Sequence, residues 1–139
     1  MASLTHCFIY AMRGLDSGLV KIGSTFHIPN RLRGIATTLE SVDLVASLRA
    51  MPAVEYELHD LFAAHRHEGR GREWFHDDGT IARFIAGLPV ERRGSFKFLA
   101  FEPMAPLRYP VWNELLFPHG PFRSLAEVLA DCTPAARAA

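Results

Sequence analysis

Apolar residues recur along this chain at every second position in some stretches and at helical spacing in others, which predicts a mixed α and β protein. Cys7 to Met12 is an apolar, β-favouring run. Arg13 to Gly18, with two glycines, an aspartate and a serine, has the composition of a hairpin loop, and Leu19 to Gly23 returns as a second strand. On paired strands Tyr10 and Lys21 can present their side chains on one face. Pro29 and Asn30 then interrupt the pattern. Beyond them Leu32, Ile35, Ala36 and Leu39 predict a helix beginning near Arg31, weakened by Gly34. Val42 to Leu48 alternates, with Val42, Leu44 and Ala46 on one side, and predicts a third strand.

Pro52 suits the first turn of a second helix running to about Arg66, with Val54, Leu58, Leu61 and Phe62 as its buried stripe. Glu55 and His59, four residues apart, share a neighbouring face. A basic loop from His65 to Arg72 leads to Glu73-Trp74-Phe75, in which Trp74 and Phe75 read as a short strand or anchoring turn. Asp77 to Thr80 can cap a helix over Ile81 to Leu88. Ser95 to Phe101 reads as a further strand, five prolines break the segment from Pro103 to Pro121, and Phe122 to Ala130 forms a last helix begun by Ser124. The Ala-rich residues after Pro134 read as a frayed tail. The expected organisation is a core over residues 1–78 and a helical or irregular extension over 79–139, packed on or next to it.

With 139 residues, 49% of them hydrophobic, the chain can bury one real core. Fifteen basic and fifteen acidic residues balance overall, and they balance again within residues 1–76 and 77–139. No strong field therefore draws nucleic acid from a distance, which weighs against a nonspecific binder built on phosphate neutralisation but leaves room for a locally basic cleft. Cys7 and Cys132 are the two cysteines, far apart, so neither a disulfide scaffold nor a zinc module is supported. Met1 to His6 lack the features of an export signal and no apolar run reaches membrane-spanning length, so the expected place is the cytoplasm, away from membranes.

Against that background one ordered set of residues carries the chemistry. A phenol (Tyr10), two cations (Lys21 and Arg31), a carboxylate (Glu55) and an imidazole (His59) are the parts that phosphodiester cleavage requires: a nucleophilic water, charge stabilisation at the phosphoryl oxygens, and help for the leaving oxygen. Glu55 is the candidate ligand for one Mg2+ or Mn2+ ion, because a hard cation bound through a single carboxylate keeps several waters and completes its shell with substrate phosphate. Arg31 can bridge a phosphate with two parallel hydrogen bonds. Tyr10 can position or deprotonate water. As a base near neutrality it needs a neighbouring cation, and Lys21 across the hairpin is one. His59 can relay a proton or hold a metal-bound water. Arg33, Arg70, Arg72 and Trp74 are candidates for contacts with the substrate strand.

Each residue alone also has a plainer reading. Tyr10 equally suits a core aromatic with its hydroxyl at the edge. Lys21, Arg31 and Glu55 suit a solvated surface. His59 suits the boundary of a leucine stripe, and Trp74 and Phe75 suit core anchors. The argument rests on their joint order.

Taken together, Phe8-Ile9-Tyr10, Lys21-Ile22-Gly23-Ser24-Thr25, Arg31-Leu32, Glu55-x-x-x-His59 and Glu73-Trp74-Phe75 resemble the GIY-YIG nuclease superfamily, in the branch found in phage proteins and a fungal meiotic protein. The resemblance covers roughly residues 6–76. It implies a small α/β (α+β) domain with a three-stranded antiparallel sheet flanked by helices, a one-metal hydrolytic site, and DNA as the partner. Tyr10, Arg31 and Glu55 match the first-motif tyrosine, the helix arginine and the metal-binding glutamate. Lys21 stands where many relatives have a second tyrosine, Phe8 replaces the first glycine, and no asparagine stands near the end of the domain. Two functions follow as expectations: a metal-dependent endonuclease using in-line water attack, or a catalytically weak nucleic-acid-binding or regulatory module that keeps the fold. A protein-docking role for Trp112, Phe117 and Phe122 is a third, weaker than a simple covering of the sheet.

Overall fold

The hairpin read from the first apolar runs forms the middle of the protein. In this computed structural model, which describes residues 8–87, 96–98 and 124–131, strand β1 (Phe8–Gly14) pairs antiparallel with β2 (Val20–Thr25), setting Tyr10 opposite Gly23 and Met12 opposite Lys21. On its other side β1 pairs with β3 (Val42–Arg49). Two short strands extend the edges: β4 (Trp74–Phe75) beside β2, and β5 (Phe96–Phe98) beside β3. The expected three-stranded sheet is thus the centre of a five-stranded antiparallel one, ordered β4-β2-β1-β3-β5, in an α+β fold.

Because strand side chains alternate, the sheet feeds two separate cores. Ile9, Ala11, Val20, Ile22 and Phe75 face helices α2 (Ala53–Leu61), α3 (Thr80–Ala86) and α4 (Leu125–Asp131). Tyr10, Met12 and Trp74 face α1 (Ile28–Thr38), which contributes Ile28, Leu32 and Ala36. A fully buried side chain such as Phe75 contributes roughly 1.5–3 kcal/mol through its burial alone.

Strand β3 departs from simple alternation. Val42 and Leu44 lie in the α1 core, but Ala46 and Leu48 lie in the α2 core. A bulge against β1, between Ala11 and Met12, inserts one residue and turns the rest of the strand over, which local alternation does not reveal. The expectation that Ala46 shares a side with Val42 and Leu44 is corrected accordingly.

Helix α1 begins at Ile28, earlier than the sequence suggests. Position 29 falls in the first turn, where proline's missing N–H costs nothing, and the His27 Nδ1 accepts from the Asn30 N–H at 3.1 Å. Helix α2 is shorter than expected. It stops at Leu61 and passes into a 3-10 turn at Ala63–His65, which leaves Leu61 exposed while Val54, Leu58 and Phe62 are buried. Asp77 Oδ1 accepts from the N–H groups of Gly79 and Ile81 at the start of α3, and its other oxygen pairs with Arg13 at 2.9 Å. Ser124 and Glu127 exchange hydrogen bonds at the start of α4 in the reciprocal pattern of a capping box.

Residues beyond 78 share the main core, since Ile81, Phe84 and Ile85 of α3 and Val128 of α4 pack with Ile9 and Leu58. The proline-broken segment, the Ala-rich tail and most of the strand read over Ser95 to Phe101 lie outside the described residues.

Candidate functional site

The outer edge of β2 holds four of the expected site residues, Tyr10, Lys21, Glu55 and His59. Strand β4 covers β2 only at Val20 and Lys21, and beyond that point Ile22 turns its N–H and C=O toward an edge with no strand on it. The N–H donates to the Glu73 carbonyl at 3.0 Å, and the carbonyl meets the His59 Nε2 of α2 at 2.8 Å. With an N–H on Nε2, His59 is a donor that closes the sheet edge. It also stands 3.7 Å from Glu55 Oε2 and packs against the Phe75 ring. A role in relaying protons therefore competes with a hydrogen bond that the backbone needs.

Glu55 comes from the same helix, one turn earlier, with its Oε1 accepting from the Ser24 hydroxyl at 2.5 Å. Ser24 follows Ile22 on the α2-facing side of β2, so the serine ties the strand's end to the first turn of the helix. Each carboxylate oxygen has two lone-pair directions, so these contacts leave Glu55 acceptor capacity for an ion.

Tyr10 reaches the same edge from the opposite face. Its ring is 1% exposed and crosses over Gly23, so that a Cβ placed on Gly23 would stand 2.6 Å from the hydroxyl and 3.2 Å from Glu73 Oε1. The glycine is needed for room: its φ is negative, and no unusual backbone requires it. Burial pushes the Tyr10 phenol well above its ordinary pKa. The Arg31 guanidinium pulls it partly back, while the carboxylates of Glu73 and Glu55 push it up further. Arg31 and Glu55 thus both act on the Tyr10 phenol.

Lys21 occupies a different role from the one expected. Its Nζ lies 2.7 Å from Glu73 Oε1 and 5.7 Å from the Trp74 ring centre, and the cation acting on Tyr10 is Arg31. Glu73, left without a role by sequence reasoning, therefore connects Lys21 to the tyrosine. Its only signal in the sequence is its place before Trp74-Phe75. Ser24 was equally hidden, since nothing local pairs a strand serine with a glutamate thirty-one residues away.

Arg31 is exposed on the first turns of α1 and walls an open groove of about 550 Å3 with Phe26, His27 and Asn30. Arg33 lies on the same helix and reaches Asn30 at 3.5 Å. Arg72 is exposed on the basic loop. Two of the expected substrate contacts are directed inward instead. Trp74 is 4% exposed in the α1 core, so it offers no open face for a base. Arg70 stacks on that ring at 4.9 Å and pairs with the buried Glu40. Glu40 also accepts from the Asp16 and Ser17 N–H groups and the Ser17 hydroxyl, pinning the β1–β2 turn to the end of α1. Burial opposes its ionisation, but the Arg70 and Ser17 hydrogen bonds outweigh that and hold its pKa down to about 2.

Among the described residues no group of three or more His, Cys, Asp or Glu side chains is gathered for a metal. Glu55 alone fits a cation that takes one carboxylate and fills its remaining positions with water and substrate oxygens. Also among the described residues, no helix is long and apolar enough to cross a membrane.

No curated protein and no solved structure gives a match to the chain. The family profile of the T5orf172 domain matches residues 7–86, a span that contains Tyr10, Lys21, Arg31, Glu55, His59 and Glu73. With more than half of its residues matched, the chain belongs to the T5orf172 domain family.

Proposed function

We propose that this protein is a metal-dependent endonuclease that hydrolyses phosphodiester bonds in DNA, with a site of the GIY-YIG type at the edge of β2. The observation that carries the reading is that Arg31 and Glu55, from two distant segments, both act on the Tyr10 phenol, whose ring crosses the space that Gly23 leaves. The family match supports it, because every one of these side chains lies within the matched span.

In this reading Arg31 clamps the scissile phosphate through two parallel hydrogen bonds, from an exposed position that substrate can reach. Glu55, steadied by Ser24, would hold one Mg2+ or Mn2+ ion, whose chemistry is to neutralise charge on a phosphoryl oxygen and on the departing oxygen. Tyr10 stays protonated at neutral pH, so its hydroxyl donates a hydrogen bond and orients water or a phosphoryl oxygen; it is not a ready base. His59 acts through Glu55 and the Ile22 carbonyl as a positioning residue. Lys21 and Glu73 form an ion pair beside Tyr10. The cytoplasm is the compartment that this chemistry and the two unpaired-by-sequence cysteines suit.

The protonated phenol also favours the second reading, a module that grips phosphate without cutting it. Both are tested by incubating supercoiled plasmid with Mg2+ or Mn2+ and the wild type, Glu55→Ala or Arg31→Ala protein. Cleavage by the wild type that Glu55→Ala abolishes supports the enzyme. A folded wild type as inert as Glu55→Ala, with DNA binding lost in Arg31→Ala, would retire it in favour of the binding module.

A further inference from the structure

Two aromatic rings stand open beside the site, and the chemistry described above uses neither. Phe26 and Tyr56 are 63% and 65% exposed, the largest values among the described large hydrophobic side chains. Their positions are tied to the site. Phe26 lies two residues after Ser24, the partner of Glu55, and walls the same groove as Arg31. Tyr56 directly follows Glu55 on α2, and its ring meets His59 edge-on at 5.9 Å. One ring therefore stands beside Arg31 and the other beside Glu55 and His59.

The surroundings identify the kind of group these rings would take. Phe26 shares its groove with Ile35 as well as His27, Asn30 and Arg31, so apolar surface stands beside polar groups and a guanidinium, the pairing that a base and its phosphate require. Charge also argues for stacking. With fifteen basic and fifteen acidic residues the protein has little general attraction for a duplex, whereas stacking on aromatic rings supplies affinity without net charge. A regular duplex keeps its base faces covered and offers nothing to either ring.

We infer that the site takes a DNA strand whose bases are unpaired around the cut phosphate, with Phe26 and Tyr56 as the platforms on which the flanking bases stack. This rests on the nuclease reading and names the substrate class of that site. The test is fluorescence anisotropy in EDTA, comparing a labelled single-stranded oligonucleotide, its blunt duplex and a single strand with abasic positions, using the wild type, Phe26→Ala, Tyr56→Ala and Arg31→Ala. Stacking contributes about 1–3 kcal/mol per base, or roughly 5- to 150-fold in affinity. The wild type should prefer the single strand. Phe26→Ala and Tyr56→Ala should each weaken it at least about fivefold while changing duplex binding less than about twofold, and the abasic strand should reproduce that loss. Because both rings are exposed, their removal should leave thermal unfolding in place, which circular dichroism checks. Single-strand affinity unchanged in both alanine variants, or an equal loss on both substrates, overturns this inference and leaves the nuclease reading standing if Arg31→Ala still weakens binding. A wild type that binds no DNA overturns both.

Discussion

Gly23→Ala is the smallest change that probes the close crossing of Tyr10 over β2. The added methyl would lie 2.6 Å from the Tyr10 hydroxyl and 2.7 Å from the ring carbon that carries it. Neither atom can easily give way, because the ring is 1% exposed and packed among Met12, Leu32 and Trp74. Overpacking of this kind costs about 1–3 kcal/mol. With a urea slope of roughly 2 kcal/mol per molar, a loss of about 2 kcal/mol lowers the unfolding midpoint by about 1 M. Gly34→Ala is the matched control. On the exposed side of α1 a Cβ there meets nothing within 4 Å, so the same chemical change should stabilise by roughly 0.5–1 kcal/mol through helix propensity. Urea unfolding of the three proteins side by side gives both signs at once. Where cleavage is measured, Gly23→Ala should also lose about a hundredfold in rate, the order expected when a reacting geometry shifts by about an ångström. A Gly23→Ala protein as stable as the wild type would refute the close crossing of Tyr10 over β2.

Other consequences follow from groups whose environments are equally specific. Glu40 is held at a pKa of about 2 against an ordinary 4.5, so its stabilising contribution, about 3 kcal/mol as an upper figure, is present above pH 4.5 and is lost as pH falls toward 2. Acid titration of stability should show that drop in the wild type, and Glu40→Gln should flatten it; an identical acid limb in the variant contradicts the assignment. His59→Ala leaves the buried Ile22 carbonyl without its donor and should cost about 1–3 kcal/mol in urea unfolding, with a loss below 0.5 kcal/mol speaking against its place at the sheet edge. Since the Tyr10 phenol stays protonated, Tyr10→Phe should reduce cleavage by the same factor from pH 6 to pH 9, and an inflection in that range removed by the substitution would show that Tyr10 titrates there.

What the sequence disclosed depended on how local each cause is. The β1–β2 hairpin and the two faces of β1 follow from alternation between neighbouring residues. The joint approach of Glu55 and His59 follows from four-residue helical spacing. The start of α4 is visible in Ser124. Features set by distant partners were not legible in the same way. The bulge that turns Ala46 away from Leu44 arises from its pairing with β1. Lys21 could be placed on the correct face of the hairpin, but its ion pair with Glu73 crosses fifty-two residues, and that pairing reassigns the cation beside Tyr10 to Arg31. Arg70 and Trp74 look like substrate contacts by residue type, and only the packing of the loop onto Glu40 and α1 turns them inward.

The proposal that Tyr10, Arg31 and Glu55 act on one phosphate is tested most directly by a crystal structure with Mn2+ and a short DNA strand. An anomalous peak within bonding distance of a Glu55 oxygen, and a phosphate held by the Arg31 guanidinium with the Tyr10 hydroxyl facing it, is the expected result. A manganese ion bound away from Glu55, or a strand whose phosphates pass Arg31 at another surface, would contradict it.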